Sequence, residues 1–329
     1  MKIAFFSTAA YERDWFTRYQ GHHAITFLEE TLNAHSCHLA KGYEAVCAFV
    51  EDDLSAPVLQ ALKSQGVKLV AMRCVGLDNV DLEAAEEADL TVLHVPGYSP
   101  YSVAEHAVAL LMSFVRQIPQ AYTRVQQGNF SINGLTGQDL HGKTVGIVGT
   151  GRIGQAFSQI MLGFGCRVIA FDPKPNLRLL NSGVRYVSLQ TLWAESDVIS
   201  FHCPLNSHTA NLLNADAIAQ LKPTAIVVNT GRGKLVDTAA LLNALDNQKL
   251  GGYATDVYAG EKGWFHRDFS GQPITDDELN RLRLHPRVLL TAHQGFLTEE
   301  ALQQIAHNLL LQISYFQNSR QPGISKISM

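Results

Sequence analysis

Three ionisable side chains stand where runs of β-type residues end: Arg232 in VVNTGRG, Glu261 in TDVYAGE and His293 in LLTAHQGF. Their chemistries are complementary. A histidine titrating near neutrality can take a proton from a hydroxyl and return it, which oxidation of an alcohol carbon requires besides the movement of hydride. An arginine offers a planar cationic fork for a carboxylate. A glutamate bonded to the imidazole would fix its tautomer and favour the imidazolium. Each residue alone is unremarkable: the chain has 13 histidines, and an arginine or glutamate after a strand is ordinarily a solvated charge. What joins them is that ligands of open α/β sheets bind outside the carboxyl ends of the strands, where residues distant in sequence can converge.

The elements that must position these residues are legible as an alternation. Short β-branched runs (KIAFFS, AVCAFV, KLVAMR, TVLHV, TVGIVG, RVIAFD, VISFH, AIVVNT, GYATDV, VLLTAH) alternate with helix-period stretches such as 55–65 and 239–247. This pattern predicts α/β architecture with parallel sheets and crossover helices. VPGYSP, residues 95–100, interrupts it before a long helix expected over 101–121, with Pro119 near its end as a stop or kink. That interruption reads as a hinge.

The most specific motif lies between those halves. The strand 144–148 runs directly into Gly149-Thr150-Gly151-Arg152-Ile153-Gly154 and a helix expected over 155–164. Such glycines permit a tight turn, close approach of backbone to a pyrophosphate and close packing of helix on sheet, while the helix N-terminus offers free N–H groups to the anion. A lone G-x-G-x-x-G is weak evidence. Here a second strand, 167–171, follows and closes on Asp172, placed to bind a ribose 2′-hydroxyl and repel a 2′-phosphate, so NAD is favoured over NADP. Because the motif begins near residue 144, the first hundred residues read as a separate α/β unit, and the helix from about Glu299 has no strand partner in the second. We therefore expect two Rossmann-like doubly wound domains with a cleft between them: residues 1–99 plus 296–329 as a discontinuous substrate domain, and 100–295 as the NAD-binding domain.

Composition narrows the function classes. The length of 329 residues suggests about two domains. The formal charge of −4 gives no footprint for nucleic acid. The apolar run at the N-terminus is too short for a signal peptide, and the apolar stretch 106–115 is too short for a membrane span. Five scattered cysteines contain no C-x-x-C pair, which argues against a metal site and for a reducing, cytoplasmic setting.

In this order, GTGRIG with Asp172, NTGRG, DVYAGE and TAHQGF resemble the D-isomer-specific 2-hydroxyacid dehydrogenase family over essentially the whole chain. RCVGLDNVD, VPGYSP, AEHAVALLM and the segment 262–286 are most similar to its fermentative D-lactate dehydrogenases, whereas formate dehydrogenases of the superfamily lack the partner that Glu261 supplies. The resemblance implies Arg232 for the substrate carboxylate and carbonyl, His293 for proton transfer and Glu261 as its support. It implies substrate contacts from the backbone at Val75 and Gly76 and from Tyr98 and Phe296. For the cofactor it implies Arg152, Ile153 and Asp172 beside the glycines, with Cys203, Pro204, Thr209, Thr230 and Asp256. Gly231 departs from the serine many members carry. The implied activity is NAD-dependent interconversion of pyruvate and D-lactate by a homodimer or homotetramer that pairs through the helix after Pro100. Reduction of bulkier 2-oxo acids and an NAD-sensing corepressor are the alternatives.

Overall fold

The computed structural model describes residues 1–319. The described residues divide into two compact units, one of residues 1–99 together with 297–319, the other Pro100–Phe296. Phe296 thus falls in the second unit, not in the first as expected, because the loop that begins at Thr291 stays bonded to the end of its own sheet through Gly295.

In the first unit five parallel strands, β1 (Lys2–Phe5), β2 (Ala24–Phe27), β3 (Ala45–Ala48), β4 (Leu69–Met72) and β5 (Thr91–His94), lie in the order β2-β1-β3-β4-β5. β3 and β4 are buried throughout, as strands covered on both faces must be. The helix Glu299–Ser319 buries Ala301, Leu302, Ile305, Ala306, Leu309, Leu310 and Ile313, a single 3.6-period stripe. It docks on this unit, with His23 bonded to Ser314 at 2.8 Å and the Tyr19 and His307 rings 5.2 Å apart. At the strand ends a wholly buried Arg73 is wedged between the Phe5 and Phe49 rings and donates to Glu12 at 2.7 Å and to the Ser7 carbonyl at 2.7 Å. A buried cation demands such pairing.

The second unit holds β6 (Thr144–Val148), β7 (Arg167–Phe171), β8 (Arg185–Tyr186), β9 (Val198–Phe201), β10 (Ile226–Asn229), β11 (Gly252–Thr255) and β12 (Val288–Leu290), all parallel in the order β12-β11-β10-β9-β6-β7-β8. The order reverses between β6 and β9, the kind of switch point where such sheets bind ligands. Registry is even across it: Phe171 pairs with Val148, Val148 with Phe201, Phe201 with Asn229, Asn229 with Thr255 and Thr255 with Leu290. All six strands therefore end at one level, and each feeds a loop.

Sequence and structure also part at one helix and at two strands. The expected long helix is two, Pro100–Val115 and Ile118–Gln126, separated by Gln117 in the left-handed region. Pro119 opens the second helix instead of ending the first, since the first turn of a helix tolerates a missing N–H. The strands β2 and β8 were not expected: both lie at sheet edges, and β2 has no fully buried residue while β8 is only two residues long, which leaves little hydrophobic signal. Among the described residues no helix is long and apolar enough to cross a membrane.

Candidate active site

The loops leaving β10, β11 and β12 carry the three ionisable residues. After β10, Asn229 is fully buried and braces its own loop, its amide donating to the Arg232 carbonyl at 2.9 Å and its carbonyl oxygen accepting from Gly231 N at 3.0 Å. Gly233 lies so close to the next loop that a Cβ there would stand 2.1 Å from the carbonyl carbon of Tyr258 and 2.3 Å from the nitrogen of Ala259. Only glycine lets the Arg232 loop press onto the one bearing Glu261. The Arg232 guanidinium donates back to the Gly231 carbonyl at 3.0 Å.

Glu261 and His293 meet as the sequence predicted. Glu261 Oε2 accepts from Tyr258 N at 2.9 Å, and its Oε1 lies 2.7 Å from His293 Nδ1. A carboxylate there makes Nδ1 the protonated nitrogen, so Nε2 is the one left to exchange a proton. His293 itself has a φ of 53°, a left-handed setting uncommon for a residue with a side chain. Asp256 sustains it. The carbonyl of Asp256 accepts from His293 N at 2.7 Å, and its carboxylate accepts from Thr291 Oγ1 at 2.6 Å, Gln294 N at 2.9 Å and Gly295 N at 2.7 Å. Sequence reading gave Asp256 only a cofactor role. Its work as the anchor of the histidine loop follows from strand registry and has no local signature.

His266 was also missed. It sits 3.1 Å through Nε2 from the His293 carbonyl, with its ring 6.0 Å from that of His293 and edge-on to Phe296 at 6.5 Å. No strand or motif marks it, because the segment 262–276 is largely irregular.

On the other side of the switch point the glycine loop shows three distinct demands. Gly149 has a φ of 94°, and a Cβ there would lie 2.5 Å from Cys203 N. A Cβ on Gly154 would fall 2.1 Å from the Gly149 carbonyl oxygen, inside the first turn of the helix Arg152–Gly163, which starts three residues earlier than expected. At Gly151, which caps that helix, a Cβ would meet nothing within 4 Å. The first glycine makes the turn, the third packs the helix, and the second leaves the N-terminus open to an anion. Asp172 ends β7 facing this loop, accepting from Thr150 N at 2.7 Å and Thr150 Oγ1 at 3.0 Å. Thr230 Oγ1 is buried without a hydrogen-bond partner among the described residues, which fits a hydroxyl meant for a bound group. Beneath the loop, burial pushes the His202 imidazole down to about 3 and the Cys203 thiol up to about 11, so both stay neutral. Thr209 closes the following loop by donating to the Pro204 carbonyl at 2.6 Å.

Arg152 and Ile153 open the helix Arg152–Gly163, and Val75, Gly76 and Tyr98 belong to the first unit. Val75 and Gly76 lie in the stretch after β4, where the Val75 carbonyl is 3.1 Å from His94 Nδ1 and the Gly76 carbonyl accepts from Cys74 Sγ at 3.1 Å. Tyr98 follows β5. Among the described residues no cluster of histidine, cysteine and acidic side chains suits a metal ion.

Residues 108–295 match the family model described as D-isomer specific 2-hydroxyacid dehydrogenase, NAD binding domain. The chain is 46% identical over 316 residues to D-lactate dehydrogenase of Escherichia coli, covering 95% of this chain and 96% of that protein. The chain belongs to the D-isomer specific 2-hydroxyacid dehydrogenase family. It is an NAD-dependent oxidoreductase with a small-molecule substrate. Solved structures of family members agree with the two-unit fold. The pyruvate reductase of Chlamydomonas reinhardtii superposes with a TM-score of 0.93 at 40% identity, covering 98% of each chain. The NAD⁺ complex of D-lactate dehydrogenase from Lactobacillus jensenii gives 0.79 at 29% identity, covering 100% of each. The glycine loop, Asp172 and the Thr230 hydroxyl are the groups in this chain that suit that cofactor.

The expectation that Asp172 accepts from a ribose hydroxyl and repels a 2′-phosphate is tested by Asp172→Ala. The ratio of kcat/KM for NADH over NADPH should fall by about tenfold or more, as expected when a charged hydrogen bond is lost. An unchanged ratio in the purified variant would place cofactor discrimination elsewhere.

Proposed function

We propose that this protein is a D-lactate dehydrogenase, reducing pyruvate to D-lactate with NADH and running the reverse reaction with NAD. The observation that carries the proposal is the 2.7 Å contact of Glu261 with His293 Nδ1 at the end of β12, in a chain 46% identical to a D-lactate dehydrogenase. Bound NAD supplies or accepts the hydride. Arg232 takes the substrate carboxylate and polarises the neighbouring carbonyl, as a guanidinium fork can. In reduction His293 Nε2 gives its proton to the oxygen as charge develops there, and Glu261 holds the ring in place through Nδ1. In oxidation the neutral ring takes the hydroxyl proton. Phe296, only 8% exposed, is assigned to the wall of a small substrate pocket. The proposal extends to a cytoplasmic homo-oligomer. Ile118, Tyr122, Val125, Phe130 and Ile132, on and after the helix Ile118–Gln126, are exposed apolar side chains of the kind a partner subunit would cover.

The test is oxidation of NADH by the purified protein over a panel of 2-oxo acids, with chiral analysis of the product. Pyruvate should be preferred and the product should be D-lactate. A preference for 2-oxoisocaproate or phenylpyruvate would move the assignment to reductases of bulkier acids, and absence of turnover would favour a nucleotide-sensing role.

Glu261→Gln tests the support of His293. Replacing the carboxylate by a neutral amide weakens the charge-assisted hydrogen bond that orients the ring through Nδ1. The kcat for pyruvate reduction should therefore fall by about tenfold, as loss of a charged hydrogen bond would predict, while the KM for pyruvate stays within about threefold of wild type. A variant with wild-type kcat would separate Glu261 from proton transfer.

A further inference from the structure

One side chain that fixes the histidine loop comes from none of the strand ends. His106, on the helix Pro100–Val115, places Nε2 at 3.2 Å from Asp256 Oδ1 and at 3.2 Å from Thr291 Oγ1. The Thr291 hydroxyl already donates to Asp256 Oδ1 at 2.6 Å, so its hydrogen is committed. His106 Nε2 must then carry the hydrogen and share it between the two oxygens. The same ring backs the loop sterically: a Cβ at Gly295 would sit 3.4 Å from His106 Cδ2 and 3.1 Å from Asp256 Oδ2. Downstream, the peptide nitrogens of His293, Gln294 and Gly295 all donate to Asp256. His293 N is held by the Asp256 main-chain carbonyl and the next two peptides by its carboxylate, so the carboxylate's rotamer decides where the Gln294 and Gly295 peptides lie, and two side chains, Thr291 and His106, set that rotamer.

We propose that His106 is a positioning residue for the reaction, locking the Asp256 carboxylate so that the loop 291–295 presents His293 at a fixed place despite its left-handed backbone. The inference rests on the reading of His293 as the proton carrier. Burial would raise the Asp256 carboxyl, yet the hydrogen bonds from His106, Thr291 and the Gln294 amide outweigh it and hold the group below the ordinary carboxylate range. The carboxylate is therefore charged when it clamps the loop, and charge-assisted hydrogen bonds are the stronger kind. Proton transfer is sensitive to placement: an error of about 1 Å introduced away from the reacting atoms costs up to about 10²-fold in rate.

The experiment compares His106→Leu with His106→Gln. Leucine fills comparable space with no donor, whereas a glutamine amide can put an N–H near the position of Nε2. On the 2-oxo acid that the wild type turns over best, the leucine variant should lose about 10- to 100-fold in kcat, with the KM for that acid within about threefold of wild type because Arg232 is untouched. Glutamine should restore kcat to within about threefold, as a retained hydrogen bond would. Thermal midpoints are measured alongside, since a role confined to stability lowers them in both variants and leaves kcat per folded enzyme unchanged. A leucine variant with wild-type kcat, or a glutamine variant as slow as the leucine one, overturns the proposal. Should the leucine variant fail to fold, His106→Asn replaces it: its donor falls a bond short, so it should be slow where glutamine is not, and equal rates overturn the proposal. A wild type that prefers another acid to pyruvate revises the substrate and leaves the His106 comparison intact.

Discussion

Replacing His293 with alanine should lower kcat for pyruvate reduction by about 10²- to 10⁴-fold, the usual contribution of a general acid, while the affinity for NADH stays close to that of the wild type. Two structural facts separate these effects. His293 Nδ1 is held by Glu261 and its peptide N–H by the Asp256 carbonyl, so the residue belongs to the β11 and β12 loops. The dinucleotide loop stands on β6, across the switch point. NADH titration by fluorescence and steady-state turnover on the same preparation provide the two readings. A variant retaining more than about a tenth of wild-type kcat would remove proton transfer from His293, since that is less than the range for such groups. A lost NADH affinity would show instead that the loop contributes to cofactor binding.

Arg232→Gln should reduce kcat/KM for pyruvate by about 10²- to 10³-fold, corresponding to loss of a charged partner worth several kcal/mol. Both kcat and KM should change, because the guanidinium is assigned two tasks, holding the carboxylate and polarising the carbonyl. Lysine at this position should recover only a small part, since a point charge cannot reproduce the planar fork. The backbone of the loop should survive either change, because Asn229 braces it through main-chain atoms and Gly233 fixes its seat on residues 258–259. Turnover within about threefold of wild type would leave no room for a charged contact of ordinary strength and would transfer carboxylate recognition to another group.

Much of this site was legible in the sequence because its parts have local signatures. The glycine loop follows a strand and opens a helix, and each of its glycines has a reason that the backbone confirms. All ten expected strand runs appear: in the central strands burial on both faces writes an almost unbroken apolar string, and the half-buried edge strands β5 and β12 are still marked by β-branched and leucine residues. The contact of His293 with Glu261 was anticipated on chemical grounds and on resemblance. What escaped notice was set by tertiary registry. Asp256 anchors the histidine loop because Thr255 pairs with Leu290, which brings Asp256 beside Thr291. No spacing within the chain announces that neighbour. His106 reads as one more residue of an apolar helix until the helix is packed. The break at Gln117 was hidden for the opposite reason: Pro119 was visible, but a proline signals the start of a helix as readily as its end.

The left-handed backbone at His293 has a bearing on directed evolution. Glycine adopts that conformation freely, whereas any side chain, the imidazole included, carries a Cβ that disfavours it, so the backbone alone would be better served there by glycine, which is incapable of the chemistry. A library of variants sorted for thermal resistance alone should drift away from histidine at this position, and one sorted for turnover should return to it. The polypeptide accepts local discomfort where its reactivity resides, and stabilisation of this scaffold is therefore best sought at positions remote from the loop 291–296.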